Sequence, residues 1–70
     1  MKILVKICDV FKSSKHKNKY FYEFIIYLMI DETLIEAHTE IGGIARNNRI
    51  KELMSLHNIK DEDVSIIYNN

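Results

Sequence analysis

The longest hydrophobic segment of the chain, residues 20–30 with the sequence YFYEFIIYLMI, is apolar on both sides if it forms a strand. Side chains alternate between the two faces of a strand. Every even position of the segment is apolar or aromatic, and among the odd positions only Glu23 is charged. Both faces of this strand are therefore expected to be covered.

Two further segments alternate with a period of two, and each predicts a strand. In residues 2–11, one side carries Ile3, Val5, Ile7 and Phe11. In residues 33–41, we expect a buried side of Ile35, Ala37, Thr39 and Ile41 and a solvent side of Leu34, Glu36, His38 and Glu40. Charged residues on the solvent side suit a strand at the edge of a sheet.

The polar segment 12–19, KSSKHKNK, separates the first two strands and predicts a hairpin loop. If Phe11 pairs with Tyr20, the best apolar faces of the two strands coincide, which is what register selection requires. The resulting pairs are Ile7 with Phe24, Val5 with Ile26, and Ile3 with Leu28.

A helical pattern follows the third strand. The glycine pair 42–43 is expected to end that strand, and Asn47 or Asn48 to cap the start of a helix. Asn58 is expected to take the left-handed conformation after the end of the helix. Residues 64–68 alternate again and predict a short last strand. The apolar stripe of the helix consists of Ile50, Leu53, Met54 and His57.

These elements predict a single α+β domain over residues 1–70, with the element order β-β-β-α-β. A right-handed crossover through the helix delivers the last strand parallel to an earlier one. We place it beside the first strand, because the second side of that strand is too apolar for an edge. The expected fold is a mixed four-stranded sheet of order 3-2-1-4 with one helix packed on one face.

One helix covers only one face of such a sheet, so the other face is predicted to be an interface. Soluble monomers seldom expose large contiguous apolar patches. Full burial of eight large side chains contributes roughly 12–24 kcal/mol, and even half of that rivals the ~5–15 kcal/mol stability of a domain. A second copy in a homodimer or a foreign protein would cover this face. The residues are Leu4, Cys8, Val10, Phe21, Ile25, Tyr27, Met29 and Leu34, with Lys6 and Glu23 among them.

Three coverings from within the chain are alternatives to a partner. The C-terminal strand or the basic loop would fold over the face, or the helix would cross it at an angle.

The formal net charge is zero, but the charges are divided along the chain. The first 20 residues hold six lysines and one acid, Asp9. Within them lies a basic segment that would contact a nucleic-acid backbone or an acidic protein surface. A solvated loop is the simpler interpretation, since arginine is scarce. The candidate contacts are Lys12, Lys15, His16, Lys17, Lys19 and Tyr20.

Other candidate chemistry is weak. Arg46 and Arg49 near the helix start form a possible anion site, without the spacing of a phosphate loop. Cys8 and His38 are predicted to share the outer face, where a thiolate and a base would make a nucleophile. No oxyanion site or pocket is indicated. Histidine and cysteine spacing predicts no metal site, and no cofactor motif is present.

A cytoplasmic location is expected. Cys8 is the only cysteine, so no disulfide forms within the chain, which fits a reducing compartment. The longest uncharged apolar stretch, Phe24–Ile30, is far shorter than the roughly 20 residues of a membrane span. Lys6 and Asp9 interrupt what would be a signal core.

The function hypothesis is a small non-enzymatic binding protein that occupies a surface of a host macromolecule. Its size, cysteine content and bias towards Ile, Lys, Asn and Tyr, which supply 30 of the 70 residues, suit a phage or mobile-element inhibitor of a host factor such as a defence nuclease. The alternative is a dimeric nucleic-acid-binding regulator that uses the basic hairpin.

Overall fold

The computed structural model of the chain describes residues 1–12 and 20–67, with side chains for 1–8 and 22–67. The elements are β1 (Lys2–Lys12), β2 (Tyr20–Ile30), β3 (Thr33–Ile41), α1 (Gly43–His57), a short 3-10 helix (Asp61–Asp63) and β4 (Val64–Ile67). The strands form one sheet of order β3-β2-β1-β4, in which only β1 and β4 are parallel. The predicted α+β fold, its strand order and its single packed helix are confirmed.

The hairpin of β1 and β2 has the predicted register along most of its length. Ile3 lies opposite Leu28, Val5 opposite Ile26 and Ile7 opposite Phe24. Between Ile7 and Val10 the register shifts, because β1 contains one extra residue there.

Beyond this shift, Phe11 pairs with Phe21 and Val10 pairs with Tyr22. The predicted pairing of Phe11 with Tyr20 is therefore wrong by one residue. The alternation of apolar residues in β1 gives no sign of the extra residue.

The core lies between the sheet and α1. Four side chains of β1 and β2 are fully buried, and Phe24 and Leu53 are 3% exposed. Leu53 comes from the predicted helical stripe, and Ile50 and Met54 of the same stripe pack against the core. The stripe is therefore confirmed as the buried side of α1. The fully buried residues are Ile3, Val5, Ile26 and Leu28.

The helix starts at Gly43, four residues before the predicted position, so the predicted caps at Asn47 and Asn48 are wrong. Gly42 makes the turn with φ 88°, a conformation that glycine adopts without steric cost. Its N–H donates to the Tyr22 carbonyl at 2.9 Å, and its own carbonyl accepts from the Arg46 N–H at 3.1 Å. Gly42 thus continues the sheet ladder and opens the helix.

The end of the helix is as predicted. Asn58 has φ 54° and ψ 48°, and its N–H donates to the Met54 carbonyl. The left-handed residue satisfies a carbonyl that the last helical turn leaves free.

From Glu36 onward, the two sides of β3 are the reverse of the prediction, whereas Leu34 lies on its predicted side, away from α1. Met29 pairs with Leu34, whereas Leu28 pairs with Glu36, so Ile35 is an extra residue in β3. From Glu36 onward, the charged positions of β3 share the side of the sheet that carries the core. The predicted solvent side, with His38 and Glu40, therefore faces α1.

Polar residues of α1 accommodate this charged side of β3. Arg49 Nε donates to Glu40 Oε2 at 3.3 Å, and His57 Nε2 lies 3.8 Å from Glu36 Oε2. The helix is thus joined to the sheet by an apolar stripe over the core and by a polar seam beside β3. We use the name polar seam for these two strand–helix pairs.

Candidate functional site

The candidate site is the side of the sheet opposite α1, which we call the open face. Its members follow from the register, because residues paired across neighbouring strands point to the same side. Leu4, Ile25, Tyr27 and Met29, all predicted interface residues, lie together at its centre. The predicted interface residues Val10 and Phe21 have side chains outside the described part of the chain. The remaining members are Lys2, Lys6, Glu23, Leu34, Ala37, Thr39, Ile41, Ser65 and Ile67.

The open face is not covered by any helix or strand of the described residues. The helix packs against β2 and β3 from the other side. β4 pairs along the edge of β1 instead of folding across the face. These two observations remove two of the alternative coverings. The third alternative, the basic loop, lies at residues 13–19, outside the described residues.

The exposure of the open face is that of a sheet surface without a layer above it. The four central apolar side chains are half-buried by their neighbours within the sheet. Towards the margins, Leu34 is 51% exposed, Ile41 47% and Ile67 45%. A contiguous apolar surface of this kind is typical of protein–protein contact sites.

Two opposite charges lie within this apolar surface. Lys6 pairs with Ile25 across the strands, and Glu23 is two residues further along β2. Diagonal neighbours in a sheet are about 7–8 Å apart. Both side chains are half-buried. Neither is part of the ion pairs formed by the described residues, which involve only His38, His57, Arg49 and their glutamates.

The predicted nucleic-acid contact cannot be placed on this surface. Lys15, His16, Lys17 and Lys19 lie outside the described residues. The backbones of Lys12 and Tyr20 pair with each other at the described end of the hairpin, and their side chains lie outside the described part. The basic segment therefore stays a prediction.

The two arginines of the predicted anion site are engaged within the chain. The guanidinium of Arg46 lies 4.6 Å from the centre of the Phe24 ring, and its Nε donates to Asn47 Oδ1 at 3.0 Å. Arg49 contacts two carboxylates, Glu40 at 3.3 Å and Glu52 at 3.4 Å. Because these carboxylates balance its charge, Arg49 attracts an anion less strongly. The anion site stays a prediction.

Cys8 and His38 do not share a face as predicted. His38 pairs with Ile26, a core residue, and therefore lies on the helix side. Cys8 is half-buried at the irregular part of β1. The arrangement of a thiolate with a histidine base is accordingly wrong, and the extra residue Ile35 is the cause.

His38 instead belongs to a polar cluster that the sequence did not predict. The Nε2 atoms of His38 and His57 lie 3.7 and 3.8 Å from the same oxygen, Glu36 Oε2. Both nitrogens are buried without a hydrogen-bond partner. In the ranges that the structure covers, no group of three or more histidine, cysteine or acidic side chains stands in position to hold a metal ion.

A second unpredicted feature is a shallow apolar groove between α1 and β4, of about 340 Å³. It arises because α1 leans towards β3 and leaves the β4 side of the core less covered. In the sequence, the only pattern that bears on this groove is the period-two alternation of residues 64–67. Among its lining residues are Ile50, Met54, Val64 and Ile66.

Comparison with known proteins finds no match to this chain among family models, curated proteins or solved structures. The described part of the chain contains no helix that is both long and apolar enough to cross a membrane. The candidate site is therefore interpreted from its own residues.

Proposed function

We propose that this chain is a small non-enzymatic binding protein that acts by occupying a surface of a macromolecular partner. The open face is its protein-binding surface. The observation that carries the proposal is the layer structure: α1 covers one side of a sheet whose central strand is apolar on both sides.

The energetics of the open face support a binding role. Full burial of one large apolar side chain contributes about 1.5–3 kcal/mol. Leu4, Ile25, Tyr27 and Met29 are already half-buried, so each keeps at most about a third of that for a partner. These four contribute about 2–4 kcal/mol, and the more exposed Leu34 and Ile41 and the apolar side chains of the partner add to this gain, which offsets the cost of association.

The biological setting is part of the same proposal. A tiny chain with a single cysteine and a composition biased towards Ile, Lys, Asn and Tyr suits a phage or mobile-element product in the cytoplasm. Such a product would block a host factor, for example a defence nuclease, by covering one of its surfaces.

The test is affinity capture by the tagged full chain from a nuclease-treated lysate of the native host. We expect the wild type to recover one host protein in stoichiometric amount. Tyr27→Asp places a charge at the centre of the open face and should abolish recovery. Leu56→Asp is the matched control, because Leu56 is 72% exposed on α1, away from the open face. An empty capture, or equal recovery with both variants, would refute the proposal.

The alternative function is a dimeric nucleic-acid-binding regulator, which the six lysines among the first 20 residues favour. Lysine contacts to phosphate produce a binding constant that falls steeply with salt. Changing Lys12, Lys15, Lys17 and Lys19 to glutamine should remove a salt-sensitive association with DNA or RNA. Absence of any binding by the wild type at low salt would exclude this alternative.

A further inference from the structure

We infer that the open face is occupied by a second copy of this chain, with Lys6 of each copy paired to Glu23 of the other. The inference rests on the proposed function in one respect, that the open face is a protein-binding surface. It goes further by naming the occupant and the residues that select it.

The charges on the open face are the basis for this inference. A foreign partner would have to bury or match one positive and one negative charge in a surface that is otherwise apolar at its centre. Lys6 and Glu23 are half-buried and form no ion pair within the described part of the chain. A buried charge without a partner is costly, and a partner of opposite charge offsets that cost.

A second copy supplies both missing partners at once. In a twofold interface, if residue i contacts residue j, then j contacts i. When a twofold axis relates two sheets packed face to face, the axis lies midway between the sheets and runs parallel to their planes. When this axis passes midway between the positions of Lys6 and Glu23, at right angles to the line that joins them, each lysine lies over the glutamate of the other copy. Two identical ion pairs result, and the central apolar side chains pack between them.

The composition of the face agrees with self-association. Its two central charges sum to zero, and the further lysine at the margin, Lys2, is exposed to solvent, so the centres of two copies meet without repulsion. Leu4, Ile25, Tyr27 and Met29 surround the charges, which places the ion pairs within an apolar contact instead of at a solvated rim. A host macromolecule is then bound by the dimer, so Tyr27→Asp abolishes its capture by separating the two copies.

The test is a charge exchange in the full chain, followed by analytical ultracentrifugation from about 1 to 200 µM. Lys6→Glu leaves two acids at the centre of the face, and Glu23→Lys leaves two bases there. Like charges placed opposite each other across an interface are strongly repulsive. Each single variant should therefore bind itself about 100-fold or more weakly than the wild type binds itself. Lys51→Glu, a reversal on the exposed side of α1, is the control and should behave as wild type.

The decisive measurement mixes the two single variants in equal amounts. The acidic face then meets the basic face: Glu23 of one copy pairs with Lys6 of the other as in the wild type, and the two substituted positions form the second, reversed pair. We expect a heterodimer, detected by native mass spectrometry, with an affinity within about tenfold of the wild type. The double variant Lys6→Glu with Glu23→Lys should dimerise again. If a reversed variant does not fold by circular dichroism, Lys6→Gln and Glu23→Gln provide the same comparison with a smaller loss.

The inference is overturned if the wild type is monomeric throughout this concentration range. It is also overturned if the single reversals dimerise as strongly as the wild type, or if their mixture shows no preference for the heterodimer. A monomeric wild type that still loses its host partner through Tyr27→Asp would leave the proposed function intact and assign the open face to a foreign protein. A dimer with the expected charge behaviour but no captured host protein would refute the proposed host partner alone.

Discussion

Two neighbouring isoleucines of β2 separate folding from association. Ile26 is fully buried between the sheet and α1, whereas Ile25 lies half-buried on the open face. Replacing a buried isoleucine with alanine typically costs about 2–5 kcal/mol, since a cavity remains. At about 0.05–0.15 kcal/mol per residue, a chain of 70 residues has roughly 3.5–10 kcal/mol in total. Ile26→Ala should therefore remove a large share of the free energy of unfolding.

Ile25→Ala should behave differently. No described element packs over its side chain, so we expect a loss of about 1 kcal/mol in the monomer. Urea unfolding followed by far-UV circular dichroism, at about 1 and 100 µM protein, measures both effects. The wild type should be more stable at the higher concentration, because association stabilises the folded state. Ile25→Ala should lose most of this concentration dependence, whereas Ile26→Ala should lower stability at both concentrations.

One outcome of this comparison would refute the conclusion that the open face is uncovered in the monomer. If Ile25→Ala destabilises the chain as much as Ile26→Ala at 1 µM, the open face is packed within a single molecule. In that case the chain itself, and not a partner, covers it.

Further predictions concern the packing of α1. Arg46→Ala removes the contact with the Phe24 ring and should lower the free energy of unfolding in urea by about 0.5–2 kcal/mol. Arg46→Lys should retain part of this contribution. An unchanged free energy of unfolding in Arg46→Ala would mean that the contact is absent in solution. Arg49→Gln should lower the free energy of unfolding by less than about 1 kcal/mol, because the Arg49 side chain is 31% exposed. At 1 M salt the variant and the wild type should be equally stable, because salt screens the ion pairs. Asn58→Gly should be neutral or stabilising, whereas Asn58→Ala should cost about 1 kcal/mol, since φ is positive there; equal unfolding midpoints would contradict this.

The fold was predictable where apolar faces had to coincide. The pairs of Ile3 with Leu28 and Val5 with Ile26 are the ones that bring two continuous apolar sides together, and a slip by one residue would expose both. The position of β4 followed from the second apolar side of β1. These predictions rest on burial, which acts along whole strands and tolerates local irregularity.

The errors arise where one residue changes the alternation. The extra residue Ile35 reverses the sides of β3, and alternation alone does not reveal an extra residue. The start of α1 was placed too late because Ile44 and Ala45 carry no helical stripe, and Ile44 is in fact exposed. The turn at Gly42 is set by the backbone and its hydrogen bond to Tyr22, not by a side-chain cap.

The apolar members of the candidate site were predictable from the sequence, but the contacts of the charged residues of β3 were not. The apolar members of the open face follow from the double-sided pattern of β2. The polar seam did not, because charged residues in a strand are usually assigned to solvent, and here Arg49 and His57 of α1 lie against them. The predicted register also places the opposite charges of Lys6 and Glu23 on this face, where the structure has them.

The irregularity at Ile35 also bears on how far self-assembly extends. β3 is one margin of the sheet, and an extra residue interrupts its ladder while glutamates occupy positions 36 and 40. The other margin, β4, has four residues within the described part of the chain. Margins of this kind resist the lateral addition of further strands, which is the route to fibres. Assembly through the open face as we propose it therefore stops at a closed pair and does not propagate into a polymer.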